Sequence, residues 1–116
     1  MAVIVSETVF KNSDTCEGVS FYDPHAPHDM SDIDIDGRYP EQGWAMNEVS
    51  HEMVYVAEGL GKLALKNGET ISLPTGASVS ISPGEWFAWE GTMRLIMSCS
   101  PPFHKDQYRF DEGGSQ

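Results

Sequence analysis

Residues 52–98 are a succession of short β-prone runs, each closed by a turn bearing glycine or proline, and such a rhythm restricts the chain to an all-β fold. Met53–Ala57 (MVYVA) is rich in β-branched and aromatic residues. Glu58–Gly61 (EGLG) reads as a turn, and Lys62–Lys66 (KLALK) alternates charged and apolar. Asn67-Gly68 is the strongest short hairpin signal in the chain. Ile71–Leu73 follows, then a Pro-Thr-Gly turn, and Ser78–Ser82 (SVSIS) alternates with period two, as a strand with one buried face does. Pro83-Gly84 turns the chain into Glu85–Glu90, and Gly91 leads into Met93–Ser98. Helix signals are weak throughout, and Pro101-Pro102 would end any helix. Short strands with frequent turns point to a sandwich or barrel.

The length, 116 residues, fits one domain, 1–116. Within it, residues 1–42 form a first zone with strand-like pieces at Val3–Ser6 and Val19–Tyr22. An acidic stretch follows them, DPHAPHDMSDIDIDGRYPEQG, whose Pro, Asp and Gly content reads as loop. Residues 43–98 form the strand-rich core, and 111–116 read as a frayed tail.

The formal charge is −11. Nucleic acid and anionic membranes are polyanions, so both are disfavoured as partners. The surplus is partly local, with five aspartates and no Lys or Arg between Asp23 and Asp36, a pattern that fits a solvated acidic loop. The N-terminus has no basic start and no apolar run of signal length, and no stretch approaches the roughly 20 apolar residues that span a bilayer. Two cysteines, Cys16 and Cys99, make no disulfide framework. The expectation is a soluble cytoplasmic protein with free thiols.

Two segments carry a family resemblance: GWAMNEVSHEMVYVAEG (Gly43–Gly59) and GASVSISPGEWFAWEG (Gly76–Gly91). Together they resemble the two motifs of the cupin superfamily, and the chain is also similar to histidine-poor cupins such as the EutQ-type domain. The resemblance implies a double-stranded β-helix, the jelly-roll barrel that wraps two sheets around one core. It also implies a ligand site inside the barrel. Cupins usually hold a metal there through two histidines spaced HxH, a glutamate and a third histidine. Aligning Glu52 with the family glutamate puts Met46 and Glu48 at HxH and Phe87 at the third histidine. A thioether, two carboxylates and a benzyl ring make a poor transition-metal site, so no metal or other cofactor is expected. Were one present, Glu48, Glu52 and His51 would be the ligands. Strand alternation, however, sends His51 to the face opposite Glu52.

Alternation also sketches the interior. Met46 and Glu48 are expected to share a face with Glu52, Val54 and Val56, and Phe87 with Trp89 on the returning strand. Trp86 is expected outside. The lumen would then be apolar with two acids, the general character of a small-molecule site. Close carboxylates do not both ionise cheaply, so Glu48 and Glu52 are candidate acid and base. The structural alternative has them hydrogen-bonded to backbone or to Tyr55, Trp44 or Arg94. Met46, Val54, Tyr55, Phe87, Trp89 and Trp44 are the candidate ligand-binding residues.

Other motifs point to bland roles. Asp32–Gly37 copies the first half of an EF-hand loop, but the twelfth position is Gly43 and Pro40 falls inside it. His25 and His28, with Asp23 and Asp29, have spacing open to zinc but sit in a Pro-rich loop. Cys99 would need His104 as a base to act as a nucleophile. Three functions stay open. One is binding of a neutral or cationic polar metabolite such as a sugar derivative. The second is a metal-independent isomerase, lyase or cyclase using Glu48 and Glu52. The third is a regulatory or structural module with a filled lumen. A homodimer is expected, through Trp86 and the apolar Val3–Val5.

Overall fold

The computed structural model describes residues 2–112. Nine strands and one 3₁₀ turn make up its regular structure. The strands are β1 (Ser6–Ser13), β2 (Cys16–Tyr22), β3 (Met30–Tyr39), β4 (Trp44–Asn47), β5 (His51–Leu65), β6 (Thr70–Pro74), β7 (Ser78–Ile81), β8 (Phe87–Ser100) and β9 (Tyr108–Asp111). The 3₁₀ turn, Lys105–Gln107, precedes β9.

All pairings are antiparallel. The path β1-β2-β3-β8-β4-β9 forms one run, and β5 pairs with β8 along its whole length. The far edge of β5 pairs with β7 through Glu52–Tyr55 and with β6 through Leu60–Ala64. Strands of 14 and 15 residues, β8 and β5, serve both halves of the barrel and must bend to do so. The bend in β5 is a register shift between Val56 and Glu58, and a bulge of this kind increases local twist.

Four expectations change here. The strand-like piece at Val3–Ser6 does not form, because residues 2–5 lie outside any strand and β1 begins at Ser6. Glu58–Gly61 is not a turn: β5 runs straight through it, joining Met53–Ala57 and Lys62–Leu65 in one strand. The glycines are needed for close approach. A Cβ on Gly59 would lie 2.1 Å from the Thr92 carbonyl oxygen, and one on Gly61 would lie 2.3 Å from that of Glu90. The acidic stretch is not all loop either. Met30–Tyr39 is a ten-residue strand whose Asp-Ile alternation buries Ile33 and Ile35 and turns Asp34 and Asp36 outward. Period two outweighs the turn-like composition of the segment. Finally, β9 runs to Asp111, the residue at which the frayed tail was expected to begin. Glu112 follows outside any strand, and 113–116 lie outside the described residues. By contrast, the Asn67-Gly68 hairpin forms as expected, with Gly68 at φ 103° and its N–H donating to the Leu65 carbonyl.

The core lies between the two halves of the barrel, with Ile35, Val56, Leu63, Leu73, Phe87, Trp89 and Leu95 at its centre. Among the described residues no helix is long and apolar enough to cross a membrane.

Candidate ligand site

The approach to Glu52 sets the site. In β4, Ala45 and Asn47 are buried, and Met46 lies on the opposite face. The next three residues leave the strand. Gln107, itself 1% exposed, holds this bend: its Oε1 accepts from the N–H groups of Val49 (2.9 Å) and Ser50 (2.8 Å). Its Nε2 donates to Ser50 Oγ (2.7 Å), which donates in turn to the Pro101 carbonyl (2.6 Å). The bend breaks the pleat between Asn47 and His51, so Asn47, not Met46 or Glu48, shares the interior with Glu52. This corrects the expected lumen. Glu48 is exposed, and its carboxylate pairs with Arg109 at 2.8 Å. Two acids do not meet inside the barrel.

Glu52 is 3% exposed, and its Oε1 accepts from Asn47 Nδ2 at 2.9 Å. Burial, then the negative charge of Asp29, push its pKa up to about 7, against the opposing pull of the Asn47 hydrogen bond. Among the described residues Asn47 Oδ1 is buried without a hydrogen-bond partner. The charge of Glu52 also acts on Cys16, Cys99, Tyr39 and Tyr108, none of which hydrogen-bonds to it. The Tyr108 hydroxyl donates to that of Tyr39 at 3.3 Å. Burial pushes Tyr39 up to about 12 and Cys16 up to about 11, and raises Cys99 and Tyr108 as well. Both thiols are free, buried and protonated at neutral pH, which removes Cys99 as a nucleophile with His104.

Tyr39, buried at the end of β3, also lines a cleft of about 510 Å³, together with Asn12, Ser13, Pro40, Glu41, Gln42, Phe110 and Glu112. The lining has two carboxylates and no Lys or Arg. None of the six expected ligand-binding side chains borders it. Val54 and Val56 point inward, as alternation requires, and Phe87 packs edge-to-face on Trp89 with centroids 6.0 Å apart. Tyr55 is exposed on the outer sheet face. Trp44 is half-buried under the Arg38 guanidinium, and Trp86 is half-buried beside the Lys66 ammonium. The sequence reading missed Tyr39, Asn47, Tyr108 and Gln107. Tyr39 was within reach of the Asp-Ile alternation that leads to it, but Gln107 left no local signal because its partners are 57 and 58 residues away.

The metal question has a geometric answer. His51 is exposed and opposite Glu52. Asp29 accepts from the N–H groups of Cys99 (2.8 Å) and Phe103 (2.9 Å), so it ties loop to strand and does not join His25 and His28. Among the described residues no three His, Cys, Asp or Glu side chains converge on a metal position. The Glu52 carboxyl and the Asn47 amide do not make the donor set of a transition ion, and the thiols of Cys16 and Cys99 do not join them at one position.

No protein-family model and no curated protein sequence matches the chain. Solved structures do. Streptomyces Pac13, a nucleoside dehydratase, superposes with a TM-score of 0.83 at 15% identity, over 97% of this chain and 92% of that one. Ectoine synthase from P. lautus gives 0.68 at 17% identity, over 91% and 86%. KdgF from Halomonas sp. gives 0.63 at 17% identity, over 85% and 89%. Likenesses at this identity establish architecture and do not single out the EutQ type. With its two-halved antiparallel barrel and its buried glutamate on β5, this chain has the fold of the cupin superfamily.

Proposed function

We propose that this protein binds a neutral or cationic polar metabolite, such as a sugar derivative or a nucleoside, at the Tyr39 cleft. The observation that carries the reading is the position of Tyr39, which lines the cleft while its hydroxyl accepts from that of Tyr108. A volume of about 510 Å³ suits a molecule of that size. Glu41 and Glu112 without a basic partner in the lining disfavour phosphorylated or carboxylated ligands. Phe110, 55% exposed beside the cleft, offers a ring face for stacking. The likeness to Pac13 supports the sugar or nucleoside class. Free buried thiols accord with a reducing compartment, and we place the protein in the cytoplasm. The same reading takes the working unit to be a homodimer.

A second reading makes it a metal-independent lyase or isomerase, and the raised pKa of Glu52 favours it. A carboxyl group near half-ionised at neutral pH can take a proton from carbon and return one to a departing hydroxyl. With Glu48 on the surface, Glu52 would have to serve in both steps.

Thermal-shift and calorimetric titration against a panel of nucleosides, sugars and sugar phosphates tests both readings. Uncharged members should raise Tm and their phosphates should not, because ligand bound only to the folded state stabilises it. Tyr39→Phe should weaken binding about tenfold while the fold persists, the scale of one lost hydrogen bond to a ligand. Silence across the panel, or preference for the phosphates, would refute the cleft as the site. Turnover of a bound member that is lost in Glu52→Gln, with binding kept, would select the enzyme.

A further inference from the structure

The last rung of the β3–β8 ladder is made by a side chain. The register that pairs Ser31 with Met97 sets Asp29 opposite Cys99 when it is carried two residues further. In a hydrogen-bonded antiparallel pair two such residues exchange both backbone bonds. Here one of the two forms, the Asp29 N–H donating to the Cys99 carbonyl at 3.0 Å. The Cys99 N–H donates instead to Asp29 Oδ1 at 2.8 Å, and the Asp29 carbonyl accepts from Ser98 Oγ at 2.8 Å. The carboxylate has a second task. Its Oδ2 accepts from the Phe103 N–H at 2.9 Å, in the segment that follows β8. One side chain thus joins the loop 23–29, the end of β8 and the chain beyond it.

The rest of the loop has lighter ties. Ser100 Oγ donates to the Pro27 carbonyl at 3.0 Å, on the surface. The front half bonds to itself, with the His25 and Ala26 N–H groups donating to Asp23 at 2.9 and 3.1 Å. What lies behind is polar. Cys99 is the register partner of Glu52 on the other side of β8. Residues opposite each other in an antiparallel pair present their side chains to one face, and both of these are buried. Asn47, hydrogen-bonded to Glu52, has its Oδ1 without a partner among the described residues.

We propose that residues 23–29 form a strap over this end of the barrel, that the Asp29 carboxylate is its latch, and that release of the latch is the route by which solvent and small solutes reach Cys99, Glu52 and Asn47. Freeing one carboxylate releases the loop and the Phe103 segment together. Strand β3 stays paired meanwhile, with β2 from Met30 and with β8 from Ser31. Pro24, His25, Pro27 and His28 are exposed, so the strap can lift without uncovering a core of its own. Segments with so little buried apolar contact open at lower free energy than the fold as a whole. The strap shares no residue with the lining of the Tyr39 cleft, and it gives Glu52, which that lining does not include, its own path to solvent.

Labelling of the two native thiols of the full chain with Ellman's reagent tests the proposal. Cys99 is read in a Cys16→Ala background, and Cys16 in a Cys99→Ala background. Cys16 begins β2 and the strap leaves the other end of that strand, so Cys16 reports opening of the whole fold and not of the strap. Asp29→Asn keeps an acceptor for only one of the two N–H groups. It should speed labelling of Cys99 about tenfold or more, the scale of a lost hydrogen bond to a charged group, and leave the rate at Cys16 unchanged. Ser100→Ala removes only the surface tie to Pro27 and should speed Cys99 about threefold. Unchanged labelling of Cys99 in a folded Asp29→Asn protein overturns the latch. Where that variant does not fold, Ser100→Ala decides, and no acceleration there overturns the strap. Equal acceleration at both thiols also overturns it, because loss of global stability then accounts for the change. So does a Cys99 that labels in the unmodified chain as fast as an exposed thiol, since nothing would then cover this end.

Discussion

Glu52 shows how far one residue can be read from sequence and where the reading stops. Its inward direction follows from alternation with Val54 and Val56, and the structure buries all three. What the sequence does not supply is its surroundings, since Asn47 reaches it from β4 and the charge of Asp29 acts on it from the loop before β3. Those surroundings set a pH dependence. The carboxyl pKa is raised from an ordinary 4.5 to about 7, so the folded state holds this proton more tightly than the unfolded chain does. The contribution is full below about pH 4.5 and is lost as pH rises through about 7, a change of about 3 kcal/mol for 2.5 units. Denaturant titrations should show that loss in the unmodified protein and a much flatter profile in Glu52→Gln. Above about pH 8 the Gln variant should be the more stable of the two. Parallel profiles would mean that Glu52 titrates normally.

At the scale of elements, the reading succeeded where information was local and failed where it was not. The Asn67-Gly68 turn and the inward valines of β5 were legible because each is encoded within a few residues. Strand β3 was hidden by its own aspartates, although the alternation of Asp32-Ile33-Asp34-Ile35 was there to be read. The parity of β4 could not be carried past Asn47, because the bend that resets it is held by Gln107 from near the other end of the chain. That dependence can be tested. Removing the Gln107 carboxamide strands the buried N–H of Ser50 and the part-buried N–H of Val49, and a loss at a buried donor costs about 1–3 kcal/mol. Gln107→Leu, close in size but without polar atoms, should destabilise the protein by about 2–4 kcal/mol in urea unfolding. Gln107→Glu keeps an acceptor for both N–H groups and should cost less. If the Leu variant is as stable as the parent, the bend does not depend on Gln107.

At the scale of the whole molecule, the charge imbalance sets the response to salt. Eighteen acids face seven Lys and Arg residues. Six of those cations are already engaged in ion pairs: Lys11, Arg38, Lys62, Lys66, Arg94 and Arg109. Arg94 serves both Asp32 and Glu58, and Glu90 is shared by Arg38 and Lys62. Most remaining acids therefore see other acids at longer range. Salt weakens both effects, but unequally. Exposed pairs contribute only about 0–1 kcal/mol each. The unbalanced charge acts across the whole surface, at separations comparable to the Debye length of about 10 Å at 0.1 M salt. Repulsion is thus the larger quantity screened. Raising sodium chloride from about 0.02 M to about 0.5 M should raise Tm by a few degrees, and potassium chloride should do the same, since screening depends on ionic strength and not on the cation. A fall in Tm with salt would place the ion pairs, Arg94 with Asp32 first among them, above the repulsion they offset.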